Sequence, residues 1–212
     1  MRTKKEISEI KKLFLEHFEK PTTELKFKSP YELIVCVMLS AQCTDKRVNL
    51  ITPSLFAEFP DIFALSNANL ASLKILIGSC SFFNNKAKNL IKMAKAVVEN
   101  FNGEIPLNEK DLMSLAGVGQ KTAHVVLIEW CGANFMAVDT HVFRVSHRLG
   151  LSTAKTPELT EADLTKIFKT DLNYLHQAMV LFGRYTCKAI KPKCEECFLY
   201  EVCDSKDKIL RK

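Results

Sequence analysis

The segment LAGVGQKTAHVVLIEWCGANFMAVD, residues 115–139, places Gly117 and Gly119 between two stretches of apolar residues. The apolar residues on both sides recur at helical spacing, which predicts a helix, a tight hairpin and a second helix. Glycine suits such a hairpin because it adopts a positive φ without steric cost, and because it lets a backbone N–H approach a ligand closely.

The predicted second helix begins near Gln120 and ends the hairpin. Its first N–H groups and the positive end of its dipole favour an anion there, and a phosphate fits such a site. Lys121 lies in the first turn, where the dipole disfavours the ammonium form and should lower the pKa of the lysine. A lysine that acts as a nucleophile at neutral pH needs such help, so Lys121 is a candidate nucleophile.

The bulk composition narrows the class of protein. The 212 residues are 47% hydrophobic, enough to build a core in one large or two small domains. A net charge of +6 and a pI of about 8.8 are compatible with nucleic acid without identifying it. No signal peptide and no membrane-length apolar run are present, so we expect a cytoplasmic protein.

Helical spacing of apolar residues recurs along the chain, and no stretch alternates convincingly as a strand does. Residues 29–32, SPYE, combine an N-cap, a proline at the first helical position and a capping-box glutamate. Pro53 predicts a kink or break in the helical segment 45–57, and Asp139 is a preferred N-cap for the segment that follows it. We therefore expect about ten helices and an all-α fold.

A basic helix is predicted over residues 85–101. One face is apolar, and the opposite face carries Lys86, Lys88, Lys92 and Lys95. This face is either an ordinary solvated surface or a surface that lies near a DNA backbone.

The C-terminal region contains the spacing C-x6-C-x2-C-x5-C, formed by Cys187, Cys194, Cys197 and Cys203. Four thiolates so close together in sequence can bind one soft metal centre. A zinc ribbon usually has two C-x2-C pairs and only one is present, so spacing alone leaves zinc and an iron–sulfur cluster open. Disulfides are a third alternative, which the expected compartment disfavours.

The motifs LAGVGQKTAHVVL, VDTHVFR and LSAQCTD, with the four-cysteine tail, resemble the endonuclease III branch of the helix-hairpin-helix DNA glycosylases. The resemblance implies a two-lobed fold. A central six-helix, barrel-like domain, residues 22–132, would hold the hairpin, and residues 1–21 with 133–212 would form an iron–sulfur cluster domain with a DNA cleft between the two.

The activity that the resemblance implies is that of a bifunctional DNA glycosylase and AP lyase of base excision repair. Such an enzyme removes oxidised pyrimidines through a lysine Schiff base and cuts the strand 3′ of the abasic site by β-elimination. The resemblance makes Lys121 the nucleophile and Asp139 the group that takes its proton. It also makes the four cysteines the ligands of a [4Fe–4S] cluster.

Further residues are implied to contact the DNA. The flipped nucleotide leaves a hole that Gln42 of LSAQ would fill, and Phe82 would be the apolar wedge on the other strand. Relatives commonly have Gly-Leu-Tyr at residues 81–83, where this chain has Ser-Phe-Phe. The phosphates would be contacted by the hairpin and by the loop between the first two cluster cysteines, through Gly117, Gly119, Lys191 and Lys193. The expected partner is duplex DNA with an oxidised pyrimidine or an abasic site, bound by a monomer at the bacterial nucleoid.

Two alternatives stay open. A monofunctional glycosylase for mismatched adenine or alkylated bases would share the fold but would normally lack Lys121. A non-catalytic iron–sulfur protein that binds DNA or carries electrons would need neither Lys121 nor Asp139, which lies 18 residues further on.

Overall fold

The computed structural model describes residues 2–211, and the regular elements in that range are α-helices. In chain order they are α1 (Lys4–His17), α2 (Pro30–Ser40), α3 (Asp45–Glu58), α4 (Ile62–Ser66), α5 (Leu70–Ile77), α6 (Phe83–Phe101), α7 (Glu109–Met113), α8 (Gln120–Cys131), α9 (Thr140–Arg148), α10 (Pro157–Phe168) and α11 (Leu172–Tyr185). With eleven helices and no strand among the described residues, the all-α prediction is confirmed. Within the same residues, no helix is both long and apolar enough to cross a membrane.

The contacts within the chain define two compact units. The central unit is Glu24–Gly132 and contains α2 to α8. The terminal unit joins the residues up to Thr23 to those from Ala133 onward, and it contains α1, α9, α10, α11 and the cysteine-rich segment. The hairpin therefore belongs to the central unit, and the four spaced cysteines belong to the terminal unit.

Helix α2 is the core of the central unit. Its side chains from Leu33 to Leu39 are all buried, as expected for a helix that is apolar all round. Ser29 Oγ accepts the N–H of Glu32 at 3.2 Å, but the Glu32 carboxylate accepts the N–H of Lys28 at 2.7 Å. Of the two hydrogen bonds of the predicted capping box, only the one that Ser29 Oγ accepts is formed. Since α2 packs against α8, the second helix of the hairpin is fixed to this core.

Of the kink or break predicted at Pro53, the break does not form. Helix α3 continues through the proline from Asp45 to Glu58. Buried side chains flank the proline on both sides, from Val48 to Leu55. Burial of both halves against the same core therefore outweighs the one helical hydrogen bond that proline removes.

Helix α1 completes the core of the terminal unit. Ile10 and Phe14 are fully buried there among residues from α9, α10 and α11. The Phe14 ring meets the rings of Phe182 and Phe198 edge-on, each with 5.5 Å between centroids. Such edge-to-face pairs add to the free energy gained by burying the apolar surface.

The first turn of α1 is a complete capping box. The Glu6 carboxylate accepts the N–H of Thr3 at 2.7 Å, and Thr3 Oγ1 accepts the N–H of Glu6 at 3.3 Å. Arg2 Nη1 lies 2.8 Å from Glu6 Oε1. The hydrogen bonds from Thr3, followed by that from Arg2, lower the pKa of Glu6 to about 2.

Candidate functional site

The hairpin between α7 and α8 uses its two glycines differently. Gly117 has a φ of +80°, and a Cβ there would come within 2.9 Å of the Asn89 side chain, so this position requires glycine on both counts. Gly119 is extended, with a φ of −93°, so the need for a positive φ applies to Gly117 and not to Gly119. A Cβ on Gly119 would meet no atom within 4 Å, so open space lies at the start of α8.

Lys121 lies in the first turn of α8, where it is half-buried and no acidic residue shares the turn. Because its N-cap is Gly119, α8 has no capping side chain of its own, and its N-terminus suits an anion. His124, one turn further along α8, is buried and lies 2.8 Å from Glu109 Oε1. This contact joins α8 to α7 and fixes the hairpin, and nothing in the spacing of the sequence predicts it.

Asp139 is the N-cap of α9, as predicted. Its Oδ1 accepts the N–H groups of His141 and Val142, both at 2.8 Å. Oδ2 has no hydrogen-bond partner among residues 2–211, so one carboxylate oxygen caps the helix while the other is available for proton transfer. Burial lowers the pKa of His141, whose Nδ1 lies 3.1 Å from Arg144 Nη2. Lys121 belongs to the central unit and Asp139 to the terminal unit, and their meeting stays a prediction.

Gln42 and Phe82 share an uncommon backbone conformation. Both lie in the left-handed region, with φ values of 53° and 57°. Gln42 is exposed in the turn after α2, and Phe82 is 63% exposed immediately before α6. Such a conformation costs a non-glycine residue about 1–3 kcal/mol, and residues that adopt it cluster at functional sites.

Lys86 corrects the expectation of a basic surface on α6. It is buried, and its Nζ donates hydrogen bonds to the carbonyls of Leu39 at 2.8 Å and Ala41 at 2.6 Å. Burial lowers the pKa of this lysine. Lys86 thereby ties the first turn of α6, next to Phe82, to the end of α2, next to Gln42. The other three lysines of the predicted face have no such role.

The four spaced cysteines line one cavity of the terminal unit, whose walls include Leu149, Phe182 and Leu199. One of these sulfurs accepts a hydrogen bond from the protein: Arg148 Nη1 donates to Cys187 Sγ at 3.4 Å. Within the described residues, no three Cys, His, Asp or Glu side chains converge on a site for a single ion. The cavity offers an all-sulfur donor set with apolar walls and N–H donors, a chemistry that suits an iron–sulfur cluster.

The loop after Cys187 is anchored through its backbone, and the side chains of Lys191 and Lys193 are exposed. Lys191 is exposed with a φ of 52°, and Lys193 is exposed with its Nζ 4.0 Å from Glu196 Oε2. An ion pair so long and so exposed contributes little, which leaves both ammonium groups able to bind phosphate. Arg148 donates to the carbonyl of Lys188 at 2.7 Å and so anchors the start of the loop. Sequence reasoning missed this arginine, whose partners in the loop are backbone and sulfur atoms distant in the chain.

Two family profiles match the chain. Residues 35–170 match the HhH-GPD superfamily of base excision DNA repair proteins, and residues 187–203 match the iron–sulfur binding domain of endonuclease III. The chain is 44% identical to endonuclease III of Rickettsia conorii over 199 residues, 93% of this chain and 95% of that protein. It is 41% identical to endonuclease III of Escherichia coli K12 over 193 residues, 89% of this chain and 90% of that protein.

Solved structures match the whole fold. A trapped endonuclease III–DNA covalent intermediate superposes with a TM-score of 0.92 at 38% identity, covering 96% of this chain and 97% of that one. A thermostable thymine-DNA glycosylase superposes with a TM-score of 0.81 at 20% identity, covering 94% of this chain and 96% of that one. The second likeness shows the fold alone.

Proposed function

This chain belongs to the endonuclease III family within the HhH-GPD superfamily of base excision DNA repair proteins, and on that premise we propose that its substrates are oxidised pyrimidines in duplex DNA. It is a bifunctional DNA glycosylase and AP lyase, and it carries a [4Fe–4S] cluster. We further propose that it acts as a monomer at the bacterial nucleoid.

The observation that carries the proposal is the position of Lys121. It lies in the first turn of α8, two residues after the N-cap Gly119, where a Cβ would meet no atom within 4 Å. A phosphate of the DNA backbone can approach the N–H groups at Gly119, and this brings the sugar of the damaged nucleotide toward the lysine amine. A monofunctional glycosylase has no use for an amine at this position.

The chemistry begins with extrusion of the damaged nucleotide from the duplex, because a base inside the stack cannot be reached. Gln42 fills the vacated space, and Phe82 enters the stack on the other strand. The exposure of both side chains and their left-handed backbone suit residues that project into a partner.

Bond cleavage then uses Lys121 and Asp139. The Lys121 amine attacks C1′ of the sugar and displaces the base. Oδ2 of Asp139 takes a proton from the lysine, while Oδ1 continues to cap α9. The C1′–O4′ bond of the sugar then opens, which turns the adduct into a Schiff base and leaves O4′ as a hydroxyl. The Schiff base acidifies the C2′ proton, and loss of that proton breaks the C3′–O3′ bond. The phosphate on the 3′ side leaves, and the strand is cut 3′ of the lesion by β-elimination.

The remaining site residues hold the protein on DNA. We assign phosphate contacts to the backbone at Gly117 and Gly119 and to the exposed lysines Lys191 and Lys193. We assign the cluster to the cysteines that line the cavity of the terminal unit, Cys187, Cys194, Cys197 and Cys203. The cluster stabilises the fold of this segment and so fixes the loop that carries the lysines.

Borohydride trapping tests the nucleophile. Wild-type protein should form a covalent adduct on duplexes that contain thymine glycol or an abasic site, and less on duplexes with uracil, an alkylated adenine or an adenine mismatch. Lys121→Gln should lose both the adduct and strand cleavage but keep binding. Lys110→Gln, which removes an exposed charge from the first helix of the hairpin, is the matched control and should behave as wild type. An adduct with Lys121→Gln would place the nucleophile elsewhere, and base release without cleavage would identify a monofunctional glycosylase.

Metal analysis tests the cysteine assignment. Purified protein should be brown and contain about four irons per chain. Cys197→Ser should lower the iron content and destabilise the terminal unit, whereas Cys131→Ser, at an exposed cysteine outside the cavity, should change neither. Stoichiometric zinc without iron in protein purified anaerobically would refute the assignment.

A further inference from the structure

Two cysteines that the mechanism does not use lie side by side in the central unit. Cys43 Sγ lies 3.6 Å from Cys80 Sγ, although 37 positions separate them in the chain. Cys43 immediately follows Gln42, and Cys80 precedes Phe82 by two residues. The two thiols therefore lie between the loop that carries Gln42 and the loop that carries Phe82, the two residues that we propose enter the DNA stack.

Short turns fix the backbone on both sides of the pair. The N–H of Cys43 donates to the carbonyl of Ser40 at 3.0 Å, in the turn after α2. The N–H of Cys80 donates to the carbonyl of Ile77 at 2.9 Å, in the turn after α5. The sulfurs are thus held near each other by the fold.

The two cysteines differ in how far an oxidant can reach them. Burial raises the pKa of Cys80 to about 11, and the charges of Lys86 and Arg47 oppose that rise. Cys80 is only 3% exposed, whereas Cys43 is half-buried and can be reached from solvent. An oxidant therefore reaches Cys43 before Cys80, so Cys43 is the sulfur placed to react first.

We propose that Cys43 and Cys80 are a modification site, at which a peroxide forms a reversible disulfide that locks the Gln42 loop to the Phe82 loop. The Cys43 thiolate attacks one oxygen of hydrogen peroxide, the O–O bond breaks, and the products are a sulfenic acid and, after protonation, water. Cys80 then attacks the sulfenic sulfur, the S–S bond forms, and the hydroxyl leaves with the Cys80 proton as a second water. Two electrons pass from the two sulfurs to one peroxide.

The disulfide changes the positions of both loops. An S–S bond is about 2.05 Å long, so the sulfurs must approach by about 1.5 Å from their separation in the reduced protein. Gln42 is adjacent to one sulfur and already has a left-handed backbone that its surroundings must hold. A displacement of about 1 Å in a positioning group can slow a reaction about 100-fold. Oxidation should therefore slow base release by about 10- to 100-fold and leave contacts to phosphate unchanged.

The site is tested first by mass spectrometry of the cluster-loaded protein. One equivalent of hydrogen peroxide, followed by alkylation and digestion, should give a linked peptide containing Cys43 and Cys80, which dithiothreitol separates. Cys131→Ser, at an exposed cysteine outside the pair, is the matched control and should give the same linked peptide. Absence of that peptide from protein whose cluster absorbance is unchanged would overturn the proposal.

The consequence is tested by single-turnover base release, and only this part depends on the proposed function. Peroxide should slow wild-type protein by about 10- to 100-fold, with recovery in dithiothreitol, and should not slow Cys43→Ser or Cys80→Ser. Equal inhibition of wild type and both variants, or a complete disulfide with an unchanged rate, would overturn the switch. If reduced wild-type protein releases no base, the proposed function fails, while the linked peptide still decides whether the disulfide forms.

Discussion

The replacement of Asp139 by asparagine separates the catalytic role of this residue from its structural role. In Asp139→Asn, the side-chain amide oxygen can still accept the N–H groups of His141 and Val142, which Asp139 Oδ1 binds at 2.8 Å each. Asparagine and aspartate cap helices about equally, so the stability lost is mainly the charge at the N-terminus of α9, about 0.3–1 kcal/mol. For a chain of this length that lowers Tm by at most about 4 °C.

The effect on chemistry should be much larger. A positioned acid–base group contributes a factor of about 10²–10⁴, so the barrier to base release should rise by about 3–5 kcal/mol in Asp139→Asn. Cleavage of a preformed abasic site should slow less, because its base has already departed. Single-turnover base release and urea unfolding, measured on the same preparations, give both quantities.

Thr156→Ala is the matched control for the cap. Thr156 caps α10 in the same unit, with its hydroxyl 3.3 Å from the N–H of Leu159, and it has no role in the chemistry. Its loss should cost about 1 kcal/mol of stability and leave base release unchanged. Wild-type base release by Asp139→Asn, or equal loss of activity in Thr156→Ala, would refute the reasoning.

Three further predictions concern binding and stability. Changing Lys191 and Lys193 to Glu should weaken binding to damaged and undamaged duplexes alike. The slope of log affinity against log salt, measured by fluorescence anisotropy, should become shallower by about 2. An unchanged slope would show that neither lysine contacts phosphate. Lys86→Met leaves two carbonyls at the end of α2 without their donor, so the free energy of unfolding in urea should fall by about 2–4 kcal/mol. The matched control Lys88→Met, at an exposed lysine, should lower it by about 0.5 kcal/mol or less. Equal losses in the two variants would exclude the structural role of Lys86. Because the pKa of Glu6 falls from 4.5 to about 2 on folding, its contribution is present above pH 4.5 and is lost as the pH falls toward 2. The difference in urea midpoint between wild type and Glu6→Gln should therefore shrink between pH 6 and pH 3, and a constant difference would contradict this assignment.

Local signals in the sequence were enough for most of the fold. Ser29 and Asp139 cap the helices that they were expected to cap, since a side-chain oxygen bonds to N–H groups only two or three residues away. Gly117 has the expected positive φ because the hairpin itself imposes it. These predictions depend on neighbours in the chain, which the sequence displays directly.

The rest depends on contacts between distant segments. Helical periodicity assigns Lys86 to a polar face, and only the arrival of the end of α2 over that face buries its ammonium group. The same holds for the proximity of Cys43 and Cys80. The left-handed backbone of Phe82 could not be anticipated either, since aromatic residues rarely adopt it without support from the surrounding structure.

The terminal unit consists of two chain segments separated by the central unit, which sets the order in which the two units can fold during synthesis. The central unit is one continuous segment, so it can fold as soon as it leaves the ribosome. Phe14 of helix α1 packs against Phe182, which is synthesised 168 residues later. At about 5–20 residues per second, that wait is about 8–35 s, during which the apolar face of α1 has no permanent partner. Iron delivery comes later still, because Cys203 is made after all of these helices. Helix α1 is thus covered later than the helices of the central unit, and the cluster can be inserted only after Cys203 is made.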